Sequence, residues 1–487
     1  MIRLDERLEA IASLVMEEIA GREAPRAADV GCDHGQLTAY LLERCPSLWM
    51  AASDVSAPSL EKAKRLLESR GLSDRAQLCV ADGLCGLDRP VDVIVIAGMG
   101  AEMILKIVSK GMERIGDALL VMQANVDLPM LRTELAQMGF DVKREAYAQA
   151  AGRRYVTLCA RRGEARRITA REALLGAAMD GVRDEAQRSY FAWQRSVRVR
   201  EMQQVACLDP AKIKDRMEKN SAELDMIAEV LNMHGCTVAD IERLVGEIAP
   251  YELAEEWDNV GLLLGRAGNA VTRVLVALDL TAETAAEAAA LGAQALVTHH
   301  PVMMSARRRL TDADREGRLM LKLAESGVAH IAAHTNFDSA PGGVNDTLMR
   351  LMGAENVRGE GCVRAGDLAP GTTLGMLAER ARRKLHTVVR VYGSEEKPVH
   401  VLGCCSGAGS SEIGVAAALG ADCFITGEVK HHLALDAVDA GIGVLEAGHY
   451  ETENPACEVL ASALQNACDR LQYNVTVFCS RGNPFGR

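Results

Sequence analysis

The stretch RAADVGCDHGQLTAYLLERC, residues 26–45, decides the fold of the first half of the chain. It starts as an apolar strand, turns at glycines, and continues with the apolar spacing of an amphipathic helix. A second short apolar run, LWMAASDV, follows at residues 48–55. This order of strand, turn, helix and strand predicts an α/β domain with a parallel sheet, because parallel strands need a crossover connection.

Small or acidic residues stand at four successive predicted strand ends of this domain. Gly31 and Gly35 allow a tight turn that brings backbone N–H groups to a helix N-terminus. Asp54 ends the second strand where it suits the two hydroxyls of a ribose, and Asp82 and Gly98 end the third and fourth strands. The glycine spacing lacks the G-x-G-x-x-G of dinucleotide enzymes, so it favours S-adenosylmethionine over NAD. We therefore predict a methyltransferase domain, with a purely structural turn as the alternative.

The first half resembles the bacterial tRNA (adenine-22-N1)-methyltransferase family over roughly residues 2–230. The resemblance lies in LDERLEAIASLV, ADVGCDHGQL, ADGL, IVIAGMG, LLVMQANVDLPMLRTEL and GRRY. It implies a Rossmann-like catalytic domain followed by a helical domain. Many members have Tyr and Pro where this chain has Gln36 and Thr38. The resemblance places the cofactor against Asp29, Gly31, Asp33, His34, Asp54 and Asp82.

The fourth strand indicates which kind of atom is methylated. Methyltransferases of exocyclic amines carry an Asn/Asp-Pro-Pro-aromatic box there, and this chain has residues 97–100, AGMG, instead. Adenine N1 already carries a free lone pair, so alignment with the methyl donor matters more than a strong base. Asp33 is our catalytic candidate, because a carboxylate stabilises the charge left on the methylated base; ordering the turn or His34 is the alternative. Gln123 and Asn125 are candidates for cofactor or base contacts.

A basic segment interrupts a chain whose net charge is −12. Residues 153–200 hold twelve arginines, no lysine and five acids, a pattern typical of a polyanion footprint. We predict that these arginines contact tRNA phosphates, and that Tyr155, Tyr190, Phe191 and Trp193 stack bases. A solvated helix face is the alternative. Residues 200–236 are rich in charged helix formers and predict a helical connection to the second half.

Ten of the eleven histidines follow residue 233, so imidazole chemistry belongs to the second half. Alternating strand and helix patterns indicate another α/β domain there. His299 and His300 follow the strand ALVT, and Asp338 ends the strand HIAAHTNF. The segment VLEAGHYETE places His449 and Glu453 four residues apart, on one helical face. We expect these five side chains to meet.

Three imidazoles and two carboxylates form a mixed nitrogen and oxygen ligand set, which suits Zn, Mn, Fe, Co or Ni rather than calcium. Five ligands exceed the needs of one tetrahedral ion, and a carboxylate can bridge two ions. We therefore predict two divalent transition metal ions bridged by Glu453, with Asp338 and one strand-end histidine on one ion. His449 and the other strand-end histidine complete the second. Further candidates for supporting or substrate-facing groups are His334, His431 and His432.

From about residue 237 to 483 the chain resembles the NIF-three family of GTP cyclohydrolase I type 2 homologues. The resemblance lies in AEEWDNVGLLLG, VALDLT, VTHHPV, AHTNFDSAPGGVND, CCSGAGS, TGEVKHH and AGHYETE. It implies an α/β fold that assembles as a toroidal homohexamer. A water activated by divalent metals would suit hydrolysis of a nucleotide or phosphoester. The resemblance places the two metals at His299, His300, Asp338, His449 and Glu453.

Length and composition bound the remaining choices. The 487 residues predict three domains: a methyltransferase domain at 1–160, a helical, tRNA-binding connection at 161–235 and a metal-binding domain at 236–487. No apolar run approaches the roughly 18 residues that cross a bilayer, and the N-terminus lacks the pattern of a secretory signal. We expect a cytoplasmic protein without a membrane partner. The alternative is a second half that only stores, delivers or organises metal, and a first half that methylates a substrate other than tRNA.

Overall fold

The computed structural model describes residues 2–205 and 210–485. Residues 206–209, which belong to the predicted helical connection, lie outside the described residues. The chain forms two compact units, one of Met1–Arg198 with Lys219–Asn232 and the other of Val199–Glu218 with Met233–Arg487. Both units are built on mixed α/β sheets, which confirms the predicted fold class.

One seven-stranded sheet forms the centre of the first unit. Its strands are β1 (Arg26–Val30), β2 (Trp49–Asp54), β3 (Ala76–Val80), β4 (Val93–Met99), β5 (Leu119–Ala124), β6 (Phe140–Ala150) and β7 (Arg153–Arg162). They lie in the order β3-β2-β1-β4-β5-β7-β6. Neighbours among β1 to β5 are parallel, whereas β7 runs antiparallel to both β5 and β6. The carboxyl ends of β1 to β5 therefore meet at one edge.

Helices cover this sheet and continue into the connection. They are α1 (Glu6–Ile19), α2 (Gln36–Arg44), α3 (Ala57–Ser69), α4 (Ala101–Lys110), α5 (Met112–Ile115), α6 (Leu128–Gln137), α7 (Ala170–Leu175), α8 (Glu185–Val205) and α9 (Pro210–Val230). Asp5 caps α1 by accepting a hydrogen bond from Leu8 N, and the helix buries Ile11, Val15 and Ile19 at helical spacing. The two long helices α8 and α9 agree with the predicted helical connection.

The second unit contains two sheets. Its strands are β8 (Gly261–Leu264), β9 (Arg273–Ala277), β10 (Ala295–Thr298), β11 (Ala329–Ala332), β12 (Glu355–Arg358), β13 (Arg364–Asp367), β14 (Arg390–Tyr392), β15 (Val401–Cys404), β16 (Cys423–Thr426), β17 (Gly443–Glu446) and β18 (Thr476–Cys479). The five-stranded sheet has the order β18-β9-β10-β11-β8 and the six-stranded sheet the order β12-β13-β15-β16-β17-β14. The neighbours β18, β9, β10 and β11 are parallel, as are β15, β16 and β17.

Ten helices accompany these sheets in the described part of the second unit. They are α10 (Val238–Ile248), α11 (Ala282–Leu291), α12 (Arg315–Ser326), α13 (Thr335–Ser339), α14 (Val344–Met352), α15 (Leu374–Leu385), α16 (Ile413–Ala418), α17 (His431–Asp439), α18 (His449–Glu453) and α19 (Pro455–Arg470). Helix α19 buries Leu460, Leu464 and Cys468, spaced four residues apart, in the core beneath the five-stranded sheet. Short 3-10 turns lie at Ser73–Arg75, Gly83–Gly86, Gly176–Ala178, Tyr251–Leu253 and Gly409–Glu412.

Candidate functional site

A cavity of about 700 Å³ opens at the carboxyl ends of the parallel strands in the first unit. Ligands of open α/β sheets bind at this edge, where strand order reverses around the first strand. The cavity brings together seven of the eight residues that the sequence predicted to contact the cofactor. These are Asp29, Gly31, Asp33, His34, Asp54, Asp82 and Gly98.

The glycines of the loop after β1 serve two different purposes. Gly31 has φ +76°, and a Cβ at this position would collide with Met99 Cε at the end of β4. It therefore keeps the loop close to the neighbouring strand. Gly35 does not line the cavity; a Cβ there would lie 2.8 Å from the Cβ of Ala63 in α3. Packing of α2 against α3 accounts for Gly35, and its contact with a cofactor stays a prediction.

The carboxylate of Asp54 is fixed at the end of β2 by two backbone donors. Its Oδ1 accepts a hydrogen bond from Ser56 N at 2.8 Å, and its Oδ2 accepts one from Asp33 N at 3.0 Å. Each carboxylate oxygen has a second lone pair. Asp54 can therefore accept two further hydrogen bonds, as a ribose diol requires.

Asp29 is the buried acid of the cavity. Burial raises the pKa of its carboxyl to about 6, even though the Thr38 hydroxyl donates a hydrogen bond to it at 2.7 Å and favours the charged form. Thr38 is one of the two positions at which this chain departs from the resembling family. The hydroxyl gives Asp29 a fixed orientation at the cavity wall.

Asp33 and His34 stand on the open side of the cavity. The side chain of Asp33 is 69% exposed, and its Oδ1 lies 3.5 Å from His34 Nε2. Lys62 Nζ lies 3.1 Å from the same ring nitrogen, and Lys110 Nζ lies 3.1 Å from Asp82 Oδ2. Asp33 is thus a carboxylate facing solvent at the rim, and its catalytic role stays a prediction.

The sequence reasoning missed several side chains that line this cavity. Arg7 of α1 donates to Gln123 Oε1 at 3.0 Å, and its guanidinium lies 5.7 Å from the ring centroid of Tyr155. The amide of Gln123 also accepts a hydrogen bond from Gly98 N at 3.2 Å, so it supports the end of β4 instead of facing a ligand. The spacing of apolar positions in α1 gave no signal for Arg7, because Arg7 and Gln123 lie 116 residues apart in the sequence. The missed residues include Arg7, Val55, Met103 and Lys106.

The arginine-rich segment divides into buried and exposed parts. Arg195 is buried, and Arg198 forms an ion pair with Glu223 at 2.5 Å. Tyr190 and Phe191, which the sequence predicted to stack bases, are also buried and pack edge to face with ring centroids 5.2 Å apart. That prediction was wrong for these two rings, because they supply apolar area to the core. The exposed arginines of the segment are Arg153, Arg162, Arg166, Arg167, Arg183 and Arg200.

The second unit brings all five predicted metal ligands into one cluster. His299 and His300 follow β10, whereas His449 and Glu453 lie on one face of α18. Asp338 does not end a strand as predicted: β11 stops at Ala332, and Asp338 lies in α13. The short helix still brings its carboxylate to the same place. Two triplets have ligand atoms within 4.8 Å of one another and share Glu453: one with His300 and His449, the other with His299 and Asp338.

The interatomic distances within the cluster are those of ligands that face a common centre. Glu453 Oε2 lies 3.1 Å from His300 Nε2 and 3.2 Å from His449 Nε2. His299 Nε2 lies 3.6 Å from Asp338 Oδ1. His334 forms a third triplet with His299 and His300, so it lies beside the cluster.

Every histidine of the cluster is oriented by a hydrogen bond from its other ring nitrogen. His299 Nδ1 donates to the carbonyl of Ala333 at 2.9 Å, and His300 Nδ1 donates to Asp279 at 2.8 Å. The same distance joins His449 Nδ1 to Glu428 and His334 Nδ1 to Asp258. These acceptors carry no proton, so each Nδ1 holds the hydrogen and each Nε2 can present a lone pair to the cluster.

Three buried atoms of the cluster show that its residues fit a metal. His299 Nε2, Asp338 Oδ1 and Glu453 Oε2 have no hydrogen-bond partner among the described residues. Buried polar atoms without partners are costly, and a divalent cation would satisfy all three. A Cβ on Gly407 would collide with Glu453 Oε1 and lie 3.0 Å from His449 Nε2, so the glycine backbone closes one side of the cluster.

Protonation differs within the cluster: His299 is neutral, whereas nearby carboxylates favour a proton on Nε2 of His300 and of His449, which a metal ion would have to displace. Burial lowers the pKa of His299 to about 3, which keeps it neutral as a ligand must be. Burial opposes protonation of His300 as well, but Asp279 and Glu453 raise its pKa to about 10. Glu453 likewise raises the pKa of His449 to about 9, helped by Glu428. The carboxylate of Glu453 therefore stabilises positive charge on both His300 and His449.

Sequence reasoning missed the three carboxylates that orient these rings, and the supporting or substrate-facing role of His431 and His432 stays a prediction. All three carboxylates lie in segments quoted above for the family resemblance: Asp279 and Glu428 lie two residues after β9 and β16, whereas Asp258 lies three residues before β8. For Asp279 and Glu428 the sequence did offer a signal: each is an acid just after a strand that neighbours a strand followed by a predicted histidine ligand. His431 and His432 are exposed at the start of α17 and belong to none of the three triplets.

The fold and the two sites define a protein that joins a methyltransferase domain to a second, metal-compatible α/β domain. Residues 4–158 match the model of a methyltransferase domain. Residues 236–484 match the model of Duf34/NIF3 (NGG1p interacting factor 3). The chain belongs to the Duf34/NIF3 family and carries the methyltransferase domain ahead of it, which confirms the predicted fusion.

Individual relatives match one half at a time. The GTP cyclohydrolase 1 type 2 homolog of Clostridium acetobutylicum is 30% identical over 257 residues, which cover 50% of this chain and 96% of that protein. A Staphylococcus aureus hypothetical protein of known structure is 28% identical, with a TM-score of 0.49, covering 51% of this chain and 97% of that one. The Bacillus subtilis M1A22 tRNA methyltransferase TrmK is 21% identical, with a TM-score of 0.42, covering 47% and 100%.

Across the described residues, none of the helices combines the length and the apolar character that a bilayer crossing requires.

Proposed function

We propose that the first unit uses S-adenosylmethionine to methylate N1 of adenine in tRNA, at the position-22 type of site. The observation that carries this proposal is the cavity at the carboxyl ends of the parallel strands, with Asp54 held at its edge by two backbone donors. The sequence motifs that line this cavity are those of the tRNA (adenine-22-N1)-methyltransferase resemblance. The end of β4 carries Gly98 and Met99 where amine methyltransferases need a proline-rich box.

The residues of the cavity have separate tasks in this reaction. Asp54 would accept hydrogen bonds from the ribose hydroxyls of the cofactor, and the exposed Val55 beside it offers an apolar contact for a base. S-adenosylmethionine supplies the electrophilic methyl group. Asp33, exposed at the rim, would stabilise the positive charge that remains on the methylated adenine. Arg7 lines the cavity with its guanidinium near the ring of Tyr155, and these two side chains would receive the RNA.

Transfer of a labelled methyl group from S-adenosylmethionine to tRNA transcripts tests this proposal. A transcript with adenine at position 22 should accept one methyl group, and the matched transcript with guanine at that position should accept none. Asp33→Asn should slow transfer more than it weakens cofactor binding, because the amide keeps the size of the side chain and removes only its charge. Equal transfer to both transcripts, or none to either, would contradict the proposal.

For the second unit we infer two divalent transition metal ions held by the cluster of His299, His300, Asp338, His449 and Glu453. The three buried atoms without hydrogen-bond partners support this inference. The metals would supply Lewis-acid activation of water, which suits hydrolysis of a nucleotide or phosphoester. His299 is neutral because it is buried. Its Nε2 would bind a metal ion while its Nδ1 keeps its hydrogen bond to the carbonyl of Ala333. The family resemblance adds assembly into a ring-shaped homohexamer, which sedimentation of the purified protein would test.

Two measurements separate a hydrolase from a metal store or scaffold. Elemental analysis should give two divalent ions per chain, and a panel of nucleotides and phosphoesters should include one that the loaded protein hydrolyses. The Asp338→Asn variant, which removes one buried ligand charge, should lose both metal and turnover. Two ions per chain without turnover of any panel member would favour the storage or scaffold function instead.

A further inference from the structure

An exposed tryptophan stands beside the metal-compatible cluster. Trp257 is 60% exposed, and it is the single tryptophan of the second unit. Its ring lies edge to face with His334, at a centroid distance of 6.0 Å and an interplanar angle of 78°. His334 in turn lies 5.1 Å from His299 and 5.5 Å from His300 between ring centroids. One imidazole ring therefore separates the indole from two predicted ligands.

The backbone that carries Trp257 is firmly anchored on its carboxyl side. Asp258 accepts hydrogen bonds from His334 Nδ1 at 2.8 Å and from Thr335 N at 3.0 Å. The side chain of Asn259 donates to the carbonyl of Met303 at 2.7 Å, in the loop that follows the histidine pair. These hydrogen bonds hold the indole next to the cluster, although its exposed area contributes little to the core.

A rigid, exposed aromatic side chain beside a catalytic centre is suited to stacking, since every heteroaromatic ring offers a π-face. The charges around it restrict what can stack. Glu255 and Glu256, both exposed, directly precede Trp257, so a phosphate placed at the indole would meet like charge. A ligand ring that carries N–H donors suits the surface of Trp257 beside these two glutamates. An anionic group of the same ligand would be more stable at the proposed metal ions than at the indole.

We propose that Trp257 is the stacking platform for the base of a nucleotide whose phosphate is directed toward the metal centre. This proposal rests on the proposed function of the second unit and names its substrate class: nucleoside phosphates, rather than phosphoesters without an aromatic ring. Trp257 is a binding residue in this assignment, and the cluster residues keep their roles.

Fluorescence of a single-tryptophan protein reports on this residue alone. The full chain contains Trp49, Trp193 and Trp257, and the first two lie in the first unit. In the Trp49→Phe, Trp193→Phe protein, the nucleoside monophosphates GMP, AMP, CMP and UMP should be titrated against ribose 5-phosphate. At least one nucleotide should quench the emission saturably, and ribose 5-phosphate should leave it unchanged, because only the base stacks.

Equilibrium dialysis with the quenching nucleotide provides the second readout. Trp257→Ala should weaken binding about tenfold, as expected for loss of one base-stacking contact, whereas Trp257→Phe should retain most of the affinity. Metal content, measured in every sample, separates this proposal from the one on which it rests. Unchanged affinity in a fully loaded Trp257→Ala protein, or no quenching by any nucleotide, would overturn the stacking assignment. Quenching in a protein that binds no metal would support stacking and refute the metal proposal.

Discussion

Replacing Glu453 by glutamine tests whether the cluster holds two ions that share one carboxylate. Glu453 belongs to two of the ligand triplets, with His300 and His449 in one and with His299 and Asp338 in the other. The amide keeps the size of the side chain but removes its charge, so each triplet falls from three strong ligands to two. We expect metal content to fall from two ions per chain to below one. Binding should weaken by more than the tenfold to hundredfold that follows loss of a ligand's hydrogen-bond partner.

Elemental analysis after dialysis against metal-free buffer measures this outcome, with two matched variants. Asp279→Asn leaves every ligand in place but weakens the acceptor of His300 Nδ1, so content should stay near two at saturating metal while affinity falls tenfold to hundredfold. Glu458→Gln removes an exposed charge one turn further along the chain and should change neither. A Glu453→Gln protein that still holds two ions would refute bridging, and one that holds a single ion would make Glu453 a terminal ligand.

Three further predictions concern the first unit. Asp54→Ala should lose two charge-assisted hydrogen bonds, each worth about 1.5–3 kcal/mol before compensation, so calorimetry should show much weaker binding of S-adenosylmethionine; unchanged affinity in a folded variant would remove Asp54 from the site. The exposed pair Arg153→Ala and Arg167→Ala should weaken tRNA binding in gel shifts and flatten its dependence on salt, and an unchanged slope would place the RNA contacts elsewhere. Asp29→Asn should stabilise the unit above pH 6. The pKa of Asp29 is raised from 3.8 to about 6 in the fold, so its contribution to stability is present below pH 4 and lost as the pH rises through 6, on the order of 3 kcal/mol by pH 7. Melting temperatures measured from pH 4.5 to 7.5 should show the gap to the natural protein widening with pH, and a constant gap would refute the assignment.

Much of the fold followed from the sequence because strand ends in a parallel sheet are marked by local features. Gly31, Asp54 and Gly98 line one cavity because each ends a neighbouring parallel strand. Asp338 shows the limit of this reasoning. The apolar run from residue 330 to 337 has the composition of a strand, yet only its first residues pair with β10, and the rest turns into α13 because the polar Thr335 and Asn336 find partners there.

The sequence could not predict which arginines of the basic segment are exposed and which are buried. Arg153 and Arg195 belong to the same basic run, and their residue type carries no information about burial. Arg195 is buried because the face of α8 on which it lies also carries Tyr190 and Phe191, which pack with Tyr147. Helical spacing alone does not identify which face of a weakly amphipathic helix is covered. A test of the proposed tRNA contacts must therefore use the exposed arginines.

In each of the two sheets of the second unit, an acid that follows one strand orients a histidine that follows the next parallel strand. In the five-stranded sheet, Asp279 lies two residues after β9 and accepts from His300, two residues after β10. In the six-stranded sheet, Glu428 lies two residues after β16 and accepts from His449, three residues after β17. Both pairs span 21 residues, the length of one strand–helix–strand crossover, because the next parallel strand returns beside the first. An acid just after one strand and a histidine just after the next therefore predict an oriented imidazole, and Glu453 is the one predicted ligand that the histidines of both sheets share. Because His300 and His449 belong to the same triplet, loss of either acid should weaken the same proposed metal ion, whereas loss of Glu453 should weaken both.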